Sequence, residues 1–341
     1  MYNLGAMKPL KVFIFSDLYP SERASIQSCL NELQNLIALE IISVESHHRN
    51  YFKKAQLEAP GWIISRDWRS ALHFLSGAES KERLIVSVLA CLNRKISVWE
   101  TWFQSIKGPL PPQIRLLTHT ALSHKFLREL EGVPEVQLDF LPLPIPQISA
   151  FSSGSHFTVG SFCSFVPESN LHFTLTLAHY FKKEGHPIQM KLIGQGPLRN
   201  HLMKLIEELE LKEQVSLIAP KDFRSWEKLD VALFFPTRVE NFSSLLLAVA
   251  TESAPICAAQ TVKEFSLTDG VNTFLFESEE TKPIAEMILR LKENPVLLSE
   301  IRKRFTQKMQ KELSPSSLAV QYLNLFLDKP YFNQNFVRCA L

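Results

Sequence analysis

Glu240 follows the apolar strand pattern Val231–Pro236 and directly precedes Asn241, Phe242, Ser243 and Ser244, where a helix begins. Backbone N–H groups in the first turn of a helix lack intrahelical partners and sit at the positive end of its dipole, so such a start can hold an anion. Arg238 stands two residues before Glu240, past the strand end, where its guanidinium can add positive charge. A solvated loop arginine is the plainer reading of the same residue. A second candidate is Gly194-Gln195-Gly196-Pro197, a turn that leaves a strand and opens a helix. Gly194 and Gly196 either let the backbone approach a ligand closely or only join strand to helix. Likewise, Glu240 and Asn241 either meet a ligand or only cap the helix that follows.

These residues need elements to position them, and the chain supplies strand-length apolar runs alternating with amphipathic helical segments, the pattern of parallel sheets covered by helices. In the first half, strands are expected at KVFIFS, LEIISV, GWIIS, RLIVSVLA, IRLLT and VQLDFLP, with helices over 21–36, 67–75 and 121–131. Residues 142–154 combine prolines with a Ser/Gly cluster and read as an exposed linker. The pattern then restarts with FTVGSFC, a helix over 170–184, QMKLIG, a helix over 197–210 and QVSLIA. Asn170 suits an N-cap, Gly185 a C-terminal stop and Pro197 a first helical position. VALFFP, a helix over 242–252, PICAA, a helical turn over 262–267, TFLF and helices over 283–291, 295–311 and 316–326 complete the succession.

The ordered run KLIGQGPLRNHLMKLIEELELKEQVSLIAP, DVALFFPTRVENFSSLLLAVA, PICAAQTVKEF and DGVNTFLF resembles the C-terminal domain of family-4-type retaining glycosyltransferases, over about residues 157–311. The first half is similar only in outline. The resemblance implies an α/β fold of GT-B architecture, two facing Rossmann-like domains with parallel sheets and an interdomain cleft. It divides the chain into an acceptor-side domain over 1–150, a donor-side domain over 151–313, and a helix and tail over 314–341 that return toward the first domain. It implies transfer of a hexose-type sugar from a nucleoside-diphosphate sugar to a glycan or lipid-linked acceptor, with no metal and no cofactor beyond the nucleotide-sugar donor. Glu240 matches the first acid of the family's Glu-x7-Glu motif and is thereby implied to hydrogen-bond the donor sugar, while Asn241, Phe242, Ser243 and Ser244 would face the diphosphate.

The chain also departs from that pattern. Ala248 stands where the motif calls for a second acid, and Ser164 and Ser169 stand where relatives carry the two cations that clamp the diphosphate. Lys191, Arg199, Lys221, Arg224 and Arg238 are candidate replacements for the lost positive charge. An alternative of a different class follows from these departures: a catalytically lapsed relative that binds or stabilises another protein. His119 and His124 flank a strand-to-helix turn and could serve an acceptor hydroxyl or phosphate, though a structural role is the favoured reading. Trp99, Trp102 and Phe103 fit either a sugar-stacking surface or the core, and the basic and aromatic stretch 49–54 either a solvated loop or peripheral membrane contact. The run Arg302-Lys303-Arg304 reads as an exposed helix face.

Composition is consistent with this. A chain of 341 residues, 45% hydrophobic, suffices for two cores, and a formal net charge of +2 gives no reason to expect a nucleic-acid binder. The widely spaced Cys29, Cys91, Cys163, Cys257 and Cys339 read as reduced thiols, which points to a cytoplasmic protein, peripheral at most to the inner face of a membrane.

Overall fold

The computed structural model describes residues 10–15, 20–35, 39–44, 61–65, 83–88, 114–119, 124, 127–129, 135–146, 150–152, 156–219, 225–227, 229–235, 241–259, 267–278 and 280–326. The chain divides into two units, residues 1–144 with 315–337, and residues 145–314 with 338–341.

All six strands expected in the first half form: β1 (Leu10–Phe15), β2 (Leu39–Val44), β3 (Gly61–Ser65), β4 (Arg83–Val88), β5 (Ile114–Thr118) and β6 (Leu138–Phe140). They make one parallel sheet in the order β2-β1-β3-β4-β5-β6. Helix α1 (Pro20–Gln34) buries Ile26, Cys29, Leu30 and Leu33. Within the same unit it packs against the last helix, Pro315–Phe326, which buries Leu318, Ala319, Tyr322, Leu325 and Phe326 at three- and four-residue spacing. The helix expected over 67–75 lies outside the described residues; of that over 121–131, residue 124 and residues 127–129 are helical.

Unit 2 opens with β7 (Ala150–Ser152) and continues with β8 (Thr158–Phe162), α2 (Leu171–Lys183), β9 (Gln189–Ile193), α3 (Arg199–Glu208), β10 (Val215–Ile218), β11 (Ser225–Glu227) and β12 (Val231–Phe234). Helix α4 (Asn241–Ala250), β13 (Ala254–Ala258), β14 (Phe274–Phe276), α5 (Thr281–Glu293) and α6 (Pro295–Leu313) follow; the last helix of the chain is α7. Six strands form a parallel sheet in the order β10-β9-β8-β12-β13-β14. Its central strands β8, β12 and β13 are buried along their whole length, which explains their unbroken apolar character.

Several local expectations are corrected. Residues 142–146, expected in an exposed linker, are buried, and Ile145 N–H donates to the Leu313 carbonyl at 2.8 Å. Their alternating Leu/Ile and Pro residues carry apolar side chains and few N–H groups, so burial strands little backbone polarity. Beyond them β7 pairs with β11 in a small two-stranded parallel sheet that no sequence pattern indicated. Pro197 is not the first residue of α3: Pro197 and Leu198 form a turn and the helix begins at Arg199. Asn170 holds the N-cap position of α2 with left-handed dihedrals (φ 48°), and its side chain makes no capping bond. At the other end of α2, Gly185 (φ 72°) provides the expected stop: Gly185 N–H reaches Lys182 O and His186 N–H reaches Phe181 O.

Arg302 is not part of an exposed face either. Its Nη2 bonds Asp230 Oδ1 at 2.6 Å, while Asp230 Oδ2 accepts from the backbone N–H of Thr158 at 2.8 Å. One carboxylate thus ties α6 to the starts of β8 and β12, whereas Lys303 and Arg304 are exposed.

Candidate functional site

In the unit 2 sheet the chain runs outward from β8 through β9 to β10, then returns to add β12, β13 and β14 on the other side. The strand order reverses between β8 and β12, and in open parallel sheets ligands bind beyond the carboxyl ends of the strands at such a point. The segments there are the loop after β8, the turn after β9 and the start of α4 after β12.

The turn Gly194–Pro197 is held against the loop after β8 by backbone bonds. Cys163 N–H donates to Ile193 O at 3.1 Å, Phe165 N–H to Gln195 O at 2.9 Å, and Leu198 N–H to Phe165 O at 3.0 Å. A Cβ on Gly194 would sit 1.8 Å from Cys163 O, and one on Gly196 2.6 Å from Phe165 O. Both glycines therefore let two backbone segments meet closely, a structural role that stands beside the ligand contact expected from sequence. Gly160 has the same explanation within the sheet, where a Cβ would lie 1.8 Å from Lys191 O.

Asn241 to Ser244 form the first turn of α4, so their backbone N–H groups lie at the helix start just after β12. Glu240 and Arg238 lie outside the described residues, as do Lys221, Arg224, residues 49–54, Trp99, Trp102, Phe103 and most of the turn over 262–267. The body of α4 is apolar and enclosed: Leu245, Leu246, Leu247, Ala248 and Val249 are all buried, Ala248 completely. Ala248 is thus a core methyl. Ser164 lies half-buried in the loop after β8, and Ser169 follows in a short 3-10 turn. Of the candidate replacement cations, Lys191 is in the middle of β9. Arg199 places its Nη2 on Leu217 O at 3.3 Å and so turns to β10, on the far side of β9 from the β8–β12 crossing.

At the carboxyl end of β5 in unit 1 the two histidines take different roles. His119 is buried, and its Nδ1 donates to Leu141 O at 2.7 Å, a carbonyl that can only accept. Burial pushes its pKa down to about 4, opposed by that hydrogen bond, so the ring is a neutral structural group. Thr118 Oγ1 donates to Asp139 O at 2.9 Å and lies 3.0 Å from His124 Nδ1. With the hydroxyl proton committed to the carbonyl, His124 Nδ1 carries a proton and Nε2 is left as the acceptor. Burial, then Arg128, lowers the His124 pKa, with Glu135 opposing. Arg115 grips Asp139 with two bonds of 2.7 and 2.6 Å, which oppose the burial that raises the carboxyl's pKa. Sequence singled out the histidines by type; Thr118 and Asp139, which orient His124, carried no motif signal.

The cysteines agree with the sequence reading where they are described. Cys29 and Cys257 are buried free thiols and Cys163 a half-buried one, with burial pushing the Cys257 pKa up to about 12. No helix among the described residues is long and apolar enough to cross a membrane, and no group of three or more metal-ligating side chains occurs among them.

Residues 152–312 match the family model Glycosyl transferases group 1. The match runs from the end of β7 nearly to the end of α6, and so contains the whole unit 2 sheet from β8 onward. The poly(ribitol-phosphate) alpha-N-acetylglucosaminyltransferase of Staphylococcus aureus (strain COL) is 23% identical over 174 residues, 49% of this chain and 35% of that enzyme. The chain therefore spans about a third of that relative's length. Among solved structures, Anabaena Alr3699/HepE in complex with UDP and glucose is similar with a TM-score of 0.65 at 11% identity, covering 93% of this chain and 99% of that one. The pneumococcal O-GlcNAc transferase GtfA in complex with UDP and GlcNAc has a TM-score of 0.60 at 14% identity, covering 82% of this chain and 59% of that one. The fold is GT-B, with one parallel Rossmann-like sheet in each unit.

Proposed function

We propose that the protein is a retaining glycosyltransferase that moves a hexose-type sugar from a nucleoside-diphosphate sugar to a hydroxyl of a glycan or lipid-linked acceptor. The observation that carries this reading is the start of α4 beside the β8–β12 crossing, inside the segment that matches the glycosyltransferase family. Neighbours of the same fold were solved with UDP and a sugar, which favours a UDP-sugar as donor. The N–H groups of Asn241, Phe242, Ser243 and Ser244 take the diphosphate, Arg238 adds positive charge, and Glu240 accepts hydrogen bonds from the sugar. The C1–O bond to the diphosphate breaks, the acceptor oxygen bonds to C1 on the same face, and the acceptor's proton leaves with the phosphate oxygen. No cofactor beyond the donor is assigned. With a lipid-linked acceptor the protein works at the inner face of a membrane. The comparisons do not favour the alternative of a non-catalytic partner subunit.

Calorimetric titration with a panel of nucleoside diphosphates and nucleotide sugars, UDP and UDP-glucose first, tests the donor site. Saturable binding that weakens at least tenfold in Glu240→Ala is expected. A protein that binds none of the panel would refute the reading.

A further inference from the structure

Among the described residues, one pair of side chains at the helix starts that follow β8 and β9, to which the proposed transfer gives no role, combines metal-ligand chemistry with suitable spacing. His172 lies in the first turn of α2 and His201 near the start of α3, and both are exposed. Their ring centres are 5.5 Å apart, with planes inclined at 64°. The two helices follow β8 and β9, adjacent strands of one sheet, so the separation is set by the fold and not by two flexible loops.

We propose that His172 and His201 form a two-histidine site for a divalent transition-metal ion of the borderline class, Zn²⁺, Cu²⁺ or Ni²⁺. A metal–nitrogen bond of about 2.0–2.1 Å places each imidazole centre about 3.2 Å from the ion, so two rings at the tetrahedral angle have centres about 5.2 Å apart. The observed 5.5 Å corresponds to an angle of about 120°, within the range that a four-coordinate ion with such bonds accepts after a small side-chain rotation. Neutral imidazole suits these ions, while hard cations such as Mg²⁺ and Ca²⁺ prefer oxygen donors. No third histidine, cysteine or carboxylate among the described residues joins the pair, so water completes the coordination. Lys204 follows His201 by three residues on the same helix face and makes this a weaker site than a closed structural one. A bound ion would link the starts of α2 and α3 and stabilise unit 2 against unfolding. This inference does not rest on the proposed transfer activity.

The test is calorimetric titration of the metal-stripped 341-residue chain with ZnCl2 at about pH 7.5, alongside His172→Ala and His201→Ala. Both positions are exposed, and thermal unfolding without metal confirms that each variant is folded. The expected result is one equivalent bound by the wild type, affinity reduced at least tenfold in each variant, and a zinc-dependent rise in unfolding temperature confined to the wild type. Absence of saturable binding overturns the proposal, as does binding that survives either substitution.

Discussion

Replacing Gly194 by alanine separates the two readings of the turn after β9 more sharply than any other change. The new methyl carbon would lie 1.8 Å from the Cys163 carbonyl oxygen, where real Cβ atoms essentially never come within 3.0 Å, so the two segments must part by 3.0 − 1.8 = 1.2 Å. That displacement stretches the Phe165 N–H bond to Gln195 O from 2.9 Å, and the Cys163 N–H bond to Ile193 O from 3.1 Å, past hydrogen-bonding range. Two backbone bonds at about 1 kcal/mol each, with about 1–3 kcal/mol of packing strain, give a loss of about 3–5 kcal/mol. Gly185→Ala is the control: no atom lies within 4 Å of the point its Cβ would occupy, so only the left-handed backbone at φ 72° opposes the methyl, at about 1–2 kcal/mol. Urea unfolding of both variants, with amide hydrogen exchange at Phe165 and Leu198, reads the difference. If Gly194→Ala keeps the wild-type unfolding midpoint yet loses nucleotide binding, the glycine serves a ligand and the reasoning from the backbone joint is wrong.

Two further expectations concern buried groups. Ala248→Glu, which would restore the acid of the family motif, is expected to lower stability by about 3–5 kcal/mol, because the site is fully buried and offers the carboxylate no solvent; a variant of unchanged stability with tighter nucleotide binding would refute this. Folding holds the His119 pKa near 4 against 6.5 for the free side chain, so the unfolded chain binds more protons between those values and stability falls as pH drops from about 6.5 to 4. The loss attributable to this ring reaches about 3 kcal/mol. His119→Asn, whose amide can still donate to Leu141 O, is expected to show a correspondingly smaller decline between about pH 7 and pH 4.5 in urea titrations, and identical declines in the two proteins would contradict the assignment.

The alternation of elements was legible from the residues alone. The strands from β1 to β6 and from β8 to β14, apart from β11, appear as apolar runs because a parallel sheet buries both faces of each strand. Helices α2, α5 and α6 appear through three- and four-residue spacing of apolar positions, since each hides one face. These signals are local, and so they survive without coordinates. The position of α4 directly after β12, and hence the candidate anion site, was legible for the same reason. What each special residue faces came from the folded arrangement. Gly194 and Gly196 meet Cys163 and Phe165 across a strand pair, Arg302 finds Asp230, Ala248 is enclosed in the core, and Thr118 with Asp139 sets the tautomer of His124. Each of these depends on residues brought together by chain reversal or sheet pairing. No periodicity in the sequence records such a contact, because its energy depends on distance and direction in space and not on separation along the chain.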